Sequence, residues 1–270
     1  YFGDTASTNR GVVLYDHGQD SLQLYSAGSE RLRFGSSGQV GIAGANYGTS
    51  GQALLSQGSS SAPQWGDVAA DGAFRSTQVF TSSGTWTKPS GLKRVRVYVT
   101  GGGGGGKGRT STGSEGGTGG AAGGTAIKVI EASSLGSTET VTVGAGGSAS
   151  TNSNDQAGSG GTSSFGSHCS ASGGDGGDRP GGSPYISGGV GSSGDLNIRG
   201  SAPITSRETV DDSGSPGGDS FFGGGGRSAK TDGTYAHGAT GQLGSGGGGG
   251  NTSGGGAAGG AGVVYVEQFF

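Results

Sequence analysis

The fold is decided by residues 94–106, RVRVYVTGGGGGG, in which an alternating segment continues directly into six glycines. The valines of this stretch alternate with arginine or tyrosine, which is the period of a half-buried β-strand. Three other segments follow the same pattern: 126–130, 139–143 and 263–270. Since strands stand on both sides of the glycine runs, we predict a β-sandwich of about five strands that holds both ends of a glycine-rich insert.

The composition requires that the glycine-rich insert be stabilised by something other than an apolar core. Glycine supplies 70 of the 270 residues and hydrophobic residues only 28%, a composition for which disorder is the default. Ordering one residue costs about 1–2 kcal/mol and a net hydrogen bond returns about 0.5–1.5 kcal/mol, so nearly every peptide group must be paired. An extended helix of the polyproline-II type points all its donors and acceptors outward, and glycine lets neighbouring helices come close enough to pair. We therefore expect a bundle of polyglycine-II helices.

The sandwich strands fix where the glycine path starts and ends. The runs then form six excursions with polar outer turns at 107–112, 148–157, 178–185, 201–212, 227–237 and 251–253. Apolar side chains fall at the opposite, sandwich end of this path: Phe165, Leu196, Ile198, Phe221, Phe222 and Leu243. The predicted domains are a sandwich base at 78–143 plus 262–270, with a glycine-rich excursion at 101–124, and a bundle at 144–261.

In the first 43 residues, apolar and polar residues alternate in four short bursts, which are separated by turn-rich spacers. The apolar pairs are Val12 and Leu14, Leu22 and Leu24, Leu32 and Phe34, and Val40 and Ile42. Two apolar side chains per strand cannot form a core alone, so we expect each chain to bury this ridge against two identical copies. The sequence thus predicts a trimeric β-repeat shaft at 1–43 and a junction at 44–77. The whole chain should be all-β with essentially no α-helix, and without methionine we expect it to be the C-terminal piece of a longer polypeptide.

Two sets of segments resemble bacteriophage tail fibres. Residues 29–42, SERLRFGSSGQVGI, and 48–65, GTSGQALLSQGSSSAPQW, resemble segments of such fibres. The frame FTSSGTWTKP, RVRVYVTGGGGGG, TVTVGAGG, GGTSSFG and GGGAAGGAGVVYVEQFF is similar to the glycine-rich tip domain of tail fibre proteins. The resemblance implies a polyglycine-II bundle in a non-enzymatic adhesin of the virion, a homotrimer that is assembled in the host cytoplasm and joined to upstream fibre segments.

By the same resemblance, the outer turns recognise a host bacterial surface receptor, either lipopolysaccharide or an outer-membrane protein. Loops on a rigid scaffold commonly carry binding residues, and arginine and tyrosine are enriched in binding hot spots. The candidate receptor-binding residues are Lys107, Arg109, Asn152, Asn154, Arg179, Tyr185, Thr205, Arg207, Lys230, Tyr235 and His237. Three alternatives remain: a structural fibre spacer, an ice-binding glycine-rich protein, and a depolymerase, which would need paired carboxylates in a cleft.

Other chemistry finds little support in the sequence. Sixteen basic residues against 19 acidic ones do not favour binding to nucleic acid. The sequence contains no stretch of about 18 apolar residues, so we expect no membrane insertion. GGGGGGKG imitates a phosphate-binding loop, but Gly108 follows Lys107 where that motif needs serine or threonine. His168 and Cys169 are adjacent, and neighbours on a strand point to opposite faces, which disfavours a catalytic pair. We expect no cofactor and no metal.

Overall fold

The computed structural model describes residues 11–67, 73–108, 116–151, 156–178, 186–204, 214–229, 237–251 and 254–270. The chain divides into two compact units, Tyr1–Ala70 and Asp71–Phe270. Over the described ranges the protein is all-β, as predicted, with a 3-10 turn at Ala132–Ser134 and no α-helix. The part of the chain that the structure describes contains no helix suited to crossing a membrane.

The first unit contains a four-stranded antiparallel sheet in chain order. Its strands are β1 (Gly11–Asp16), β2 (Ser21–Ser26), β3 (Ser29–Phe34) and β4 (Val40–Ile42). These strands coincide with the four predicted bursts. A separate hairpin follows, made of β5 (Gln52–Leu55) and β6 (Gln64–Asp67).

The register of β1 corrects the predicted apolar ridge. Leu22 and Leu24 stand opposite Tyr15 and Val13, so these side chains share one face of the sheet. Leu14 stands opposite Gln23 instead, and Val12, two residues earlier, points to the same side as Leu14. A one-residue difference in register moves a whole strand to the other face, and the alternation within β1 alone does not fix that register.

The two faces of this sheet have an unusual polarity. Leu22 and Phe34 on the apolar face are 38% and 41% exposed. On the other face Gln23 and Arg33 are buried, and Nη2 of Arg33 donates to Oε2 of Glu30 at 2.6 Å. Within one chain, therefore, Gln23 and Arg33 are buried and Arg33 is paired with Glu30, while Leu22 and Phe34 on the opposite face stay exposed.

The second unit is a β-sandwich. Its strands are β7 (Phe74–Phe80), β8 (Gly84–Thr87), β9 (Arg94–Thr100), β10 (Thr125–Glu131), β11 (Thr138–Thr142), β12 (Ser163–Phe165), β13 (Cys169–Ala171), β14 (Gly191–Ser192), β15 (Leu196–Ile198) and β16 (Val263–Phe269). They form two five-stranded sheets, β15-β10-β9-β16-β7 and β14-β13-β12-β11-β8. The prediction of about five strands was too low because the inner turns of two excursions themselves form short strands, β12 to β15.

The core lies between the two sheets. Val95, Val97 and Val99 point into it, as their alternation predicts, and Trp86 packs edge-on against Phe165 at a ring-centroid distance of 5.6 Å. Phe165 is thus a core residue. Phe222, which the sequence also places at the sandwich end, packs on the outer face of a sheet, 6.2 Å from the ring of Tyr98.

The glycine-rich segments outside the strands are joined by backbone hydrogen bonds that repeat every three residues. In the run 101–107, the first, fourth and seventh amides donate to one neighbouring segment: Gly101 to Gly124, Gly104 to Ala121 and Lys107 to Thr118. The amides between them donate with the same spacing to 156–161 and 254–262. The carbonyl oxygens accept from three further segments: 144–151, 172–178 and 244–251.

The run 101–107 therefore has six neighbouring segments, which explains its unbroken glycines. A Cβ added at any of residues 101–106 would lie 1.9–2.2 Å from a backbone oxygen of a neighbour. No side chain fits at any of these positions, because neighbours occupy every direction in which a side chain would point.

The segments alternate in direction, as the predicted excursions require. Ser150 pairs in parallel with Lys107, so the first two outward segments run the same way. The returning segment 116–124 is antiparallel to 101–107 and parallel to 214–219, whose Ser215 and Gly218 donate to Gly117 and Gly120. For these segments the predicted alternation is confirmed.

Candidate functional site

The ends of the glycine segments that flank the predicted outer turns are bound to one another. Gly108, at the first turn, donates its amide hydrogen to the oxygen of Ser150, at the second turn, at 2.7 Å. Gly117, where the first excursion returns, donates to Gly250, just before the sixth turn, at 2.8 Å. These bonds fix the points from which separate turns leave the segments.

Two more turns begin within the same set of segment ends. The hydroxyl of Thr118 donates to the carbonyl oxygen of Asp178, where the third turn begins. Ala229, within the predicted fifth turn, donates to the oxygen of Gly249 at 3.0 Å. The regular hydrogen bonding thus continues to residue 229, two residues beyond the predicted start of that turn.

Most of the candidate receptor-binding residues lie outside the described residues. These are Arg109, Asn152, Asn154, Arg179, Tyr185, Thr205, Arg207, Lys230 and Tyr235. Their assignment to a binding surface stays a prediction.

Lys107 was placed in the first polar outer turn and among the receptor-binding candidates, but the structure buries it. Its side chain is only 3% exposed, its amide donates to Thr118 at 2.8 Å, and its oxygen accepts from Gly250 at 2.9 Å. The packed part of the run extends through Gly108, where a Cβ would lie 2.5 Å from Cα of Gly255. The sequence could not show this, because a lysine after a glycine run also suits a turn.

His237 lies where the sequence placed it, exposed at the end of the fifth turn. Its Nδ1 accepts a hydrogen bond from the amide of Gly255 at 3.0 Å, which ties the ring to the segment 254–262. Of the candidates, His237 is the one that the structure describes as both exposed and anchored at the segment ends.

The adjacent pair His168 and Cys169 separates as expected. Nε2 of His168 lies 3.2 Å from Oε1 of Glu139, while Cys169 points into the core. Burial raises the pKa of the Cys169 thiol to about 11, so the thiolate that nucleophilic chemistry needs is disfavoured. Among the described residues, no group of three or more histidine, cysteine, aspartate or glutamate side chains could hold a metal ion.

One cluster was not singled out by the sequence analysis. Tyr98 and Tyr265 stand opposite each other on the outer face of a sheet, with ring centroids 5.7 Å apart. Phe221 and Phe222 pack onto them from the inner turn of the fourth excursion. The available signal was the outward position of both tyrosines in their strands, together with two adjacent phenylalanines in a glycine-rich stretch.

Comparison with known families places these parts within one domain. A family model described as a glycine-rich domain matches residues 76–268, more than half of the chain. The chain belongs to this glycine-rich domain family. The match extends from strand β7 to strand β16, so the family includes both the sandwich and the glycine segments between its strands. No curated protein matches the chain.

Proposed function

We propose that this chain is the distal, receptor-binding part of a bacteriophage tail fibre. In this proposal the turns at the outer ends of the glycine segments bind a surface molecule of the host bacterium, a lipopolysaccharide sugar or an outer-membrane protein. The observation that carries the proposal is the bonding between segment ends, in which Gly108 donates to Ser150 and Gly117 to Gly250. Separate turns then leave from one fixed set of anchors, an arrangement typical of binding loops on a rigid scaffold.

The segments that carry these turns are, we propose, polyglycine-II helices. The three-residue repeat of the hydrogen bonds matches the three residues per turn of a polyproline-II-type helix, which has no hydrogen bonds within itself. A run such as 101–107 satisfies its donors and acceptors through six neighbours. Such a bundle provides stiffness without an apolar core, so the turns are free to vary in sequence.

The first unit serves, in this proposal, as a trimeric shaft. Its apolar face, with Leu22 and Phe34 exposed, has the character of an interface, since a sheet in a monomer normally turns its apolar face inward. Copies of the same face around a closed axis would cover it. Three chains would present three sets of outer turns, and binding would gain from multivalency.

The test exchanges individual outer turns for glycine-serine sequence of equal length. Replacing only residues 205–212 or 230–236, which leaves the bonded segment ends 201–204, 227–229 and His237 unchanged, should keep thermal stability within about 0.5 kcal/mol, because exposed loops bury little area. Binding to cell-envelope fractions of the host should fall about 30-fold or more, since losing one hot spot costs at least about 2 kcal/mol. Thr138→Ser with Thr140→Ser, on an exposed face of the sandwich, is the control and should bind like the wild type.

Two outcomes count against the proposal. If both exchanged variants bind like the wild type while changes within 163–172 abolish binding without unfolding, the receptor site lies at the sandwich end. If the wild-type chain binds no envelope fraction from any bacterium tested, a structural fibre spacer becomes the better interpretation.

A further inference from the structure

The outer face of the sheet β15-β10-β9-β16-β7 carries an uninterrupted apolar row. Residues that stand opposite one another on adjacent strands cross the whole sheet: Leu196, Ile127, Tyr98, Tyr265 and Val79. We call this set the apolar row. Its two ends are open to solvent, since Leu196 is 54% and Val79 is 56% exposed.

The middle of the row is covered from within the chain. The Phe221 ring stacks on Tyr98 at 6.1 Å, and the Phe222 ring lies 6.4 Å from Tyr265. Phe221 is itself 49% exposed, so the cover adds apolar surface. The result is an apolar strip that is exposed at both ends and at Phe221, is partly buried between them, and ends on the edge strand β7.

The other sheet of the sandwich has an outer face of the opposite kind. Its outward residues are all hydroxyl-bearing: Thr85, Thr87, Thr138, Thr140, Thr142, Ser164, Ser170 and Ser192. Such a face is suited to water. Because the outer face of one sheet is polar while that of the other carries the apolar row, the row is a local feature, and large exposed apolar patches commonly mark interaction sites.

Among the described side chains, two oppositely charged pairs lie beside the apolar row. Nε of Arg96 lies 2.6 Å from Oε2 of Glu267, and Nε of Arg94 lies 3.9 Å from Oε1 of Glu131. These opposite charges lie within hydrogen-bonding or ion-pair distance of each other in the same chain. Paired charges reduce the like-charge repulsion that a second copy of the same face would meet, which favours self-association.

We propose that the apolar row is a self-association surface through which the sandwich units of two or more copies of this chain pack together. In an oligomer with a closed symmetry axis, the residues nearest the axis contact the same residues of the other copies. A single apolar strip per chain is therefore enough to form the contact. Packing there would also cover Val79, the exposed end of the row on the edge strand β7.

A bound carbohydrate is the main competing occupant, since sugar rings stack on aromatic side chains. The exposed parts of the row do not suit it. The tyrosine rings lie against Phe221 and Phe222, the open ends are aliphatic, and the nearby Arg96 and Glu267 bond each other. The charged groups that could bind sugar hydroxyls there, Arg96 and Glu267, are therefore engaged with each other.

The test is cysteine cross-linking of the full chain at micromolar concentration with a short bis-maleimide. Val79→Cys and Leu196→Cys place a thiol at either end of the row, and Thr140→Cys places one on the hydroxyl-bearing face as the matched control. The native Cys169 is buried and should not react. We expect cross-linked dimers from at least one of the two row variants and only the wild-type background from Thr140→Cys. Absence of dimers from both row variants, or equal dimers from the control, would overturn the proposal.

A second variant tests whether the apolar character matters. In this experiment the probe cysteine is placed at Phe221. Adding Val79→Glu and Leu196→Glu to Phe221→Cys should reduce the cross-linked fraction at least about tenfold relative to Phe221→Cys alone. An unchanged thermal midpoint would show that the sandwich still folds. Self-association would be contradicted if the wild type is monomeric. A carbohydrate site would be favoured if, in addition, added polysaccharide protects the thiol of the Val79→Cys variant from the maleimide.

The result is separable from receptor binding. Exchanging residues 205–212 or 230–236 of the outer turns should leave the Val79→Cys and Leu196→Cys cross-links unchanged, because those turns are not part of the row. Loss of envelope binding with intact cross-links would therefore concern the turns alone. Loss of cross-links in the glutamate variant, with the turns intact, would concern the row alone.

Discussion

The amide of Gly247 donates a hydrogen bond to the carbonyl oxygen of Gly104 at 2.9 Å, which joins the two longest glycine runs of the chain side by side. The run 246–250 is surrounded much as 101–106 is. Its amides donate to 214–218, 101–107 and Ala239, and its oxygens accept from 116–124, 225–229 and Ala257. The unbroken glycine runs therefore mark the segments with neighbours on all sides, while runs interrupted by alanine or serine have space for a small side chain in some directions.

This arrangement predicts that single methyl groups are not tolerated in the central runs. A Cβ at Gly104 would lie 2.0 Å from the oxygen of Asp175, so Gly104→Ala should lower stability by about 1–3 kcal/mol or more. Gly224→Ala is the matched control, since its Cβ would come no closer than 3.9 Å to Asp219. Thermal melts should show a clear drop for the first variant and a change within about 0.5 kcal/mol for the second. Equal midpoints would contradict the close packing.

The two phenylalanines of the sandwich end should differ in their effect on stability. Phe165 is buried against Trp86, so Phe165→Ala should cost about 3–5 kcal/mol. Phe222 is only half-buried on the outer face of the sheet, and Phe222→Ala should cost clearly less. Denaturant unfolding of both variants measures the difference. A larger loss for Phe222→Ala would place the core elsewhere.

The thiol of Cys169 should make stability depend on alkaline pH. Burial raises its pKa from an ordinary 9.0 to about 11, so the folded state holds the proton more tightly than the unfolded state does. This contribution is fully present below about pH 9 and is lost as the pH rises toward 11. The free energy of unfolding should therefore fall more steeply over that interval in the wild type than in Cys169→Ala. Identical slopes in the two proteins would show that the thiol is not protected.

The open face of the first unit should control the oligomeric state. Leu22→Glu with Phe34→Glu places charges on the exposed apolar face, whereas Ser36→Glu, in a nearby exposed turn, is the control. We expect light scattering to give a trimer for the wild type and the control, and a smaller mass for the double variant. A wild-type mass near 25.7 kDa at micromolar concentration would rule out the trimeric shaft.

The outer turns should tolerate insertion better than the inner ones. Adding four glycine-serine residues within 201–212 should leave the fold intact, because loop closure costs grow slowly with length. The same insertion between Gly166 and Ser167, in the hairpin of β12 and β13, should destabilise the sandwich, since Phe165 and Cys169 pair directly and both lie in the core. Thermal melts of the two variants test this, and equal stability would argue against the assigned inner end.

The sequence by itself determined the strands that begin and end the glycine path and the alternating direction of the runs. Alternation at Val95, Val97 and Val99 identifies β9 because period 2 is a local property of a strand with one buried face. The need to return to the sandwich after each run then fixes direction without any knowledge of contacts.

Only the tertiary structure decided the register of β1, the burial of Lys107 and the position of Phe222. Each depends on what another part of the chain places opposite: Gln23 opposite Leu14, Thr118 and Gly250 beside Lys107, and Tyr98 beneath Phe222. Lateral neighbours also determine which glycines are required. The sequence shows where a glycine stands, but only the packing of its neighbours shows whether a larger residue would fit at that position.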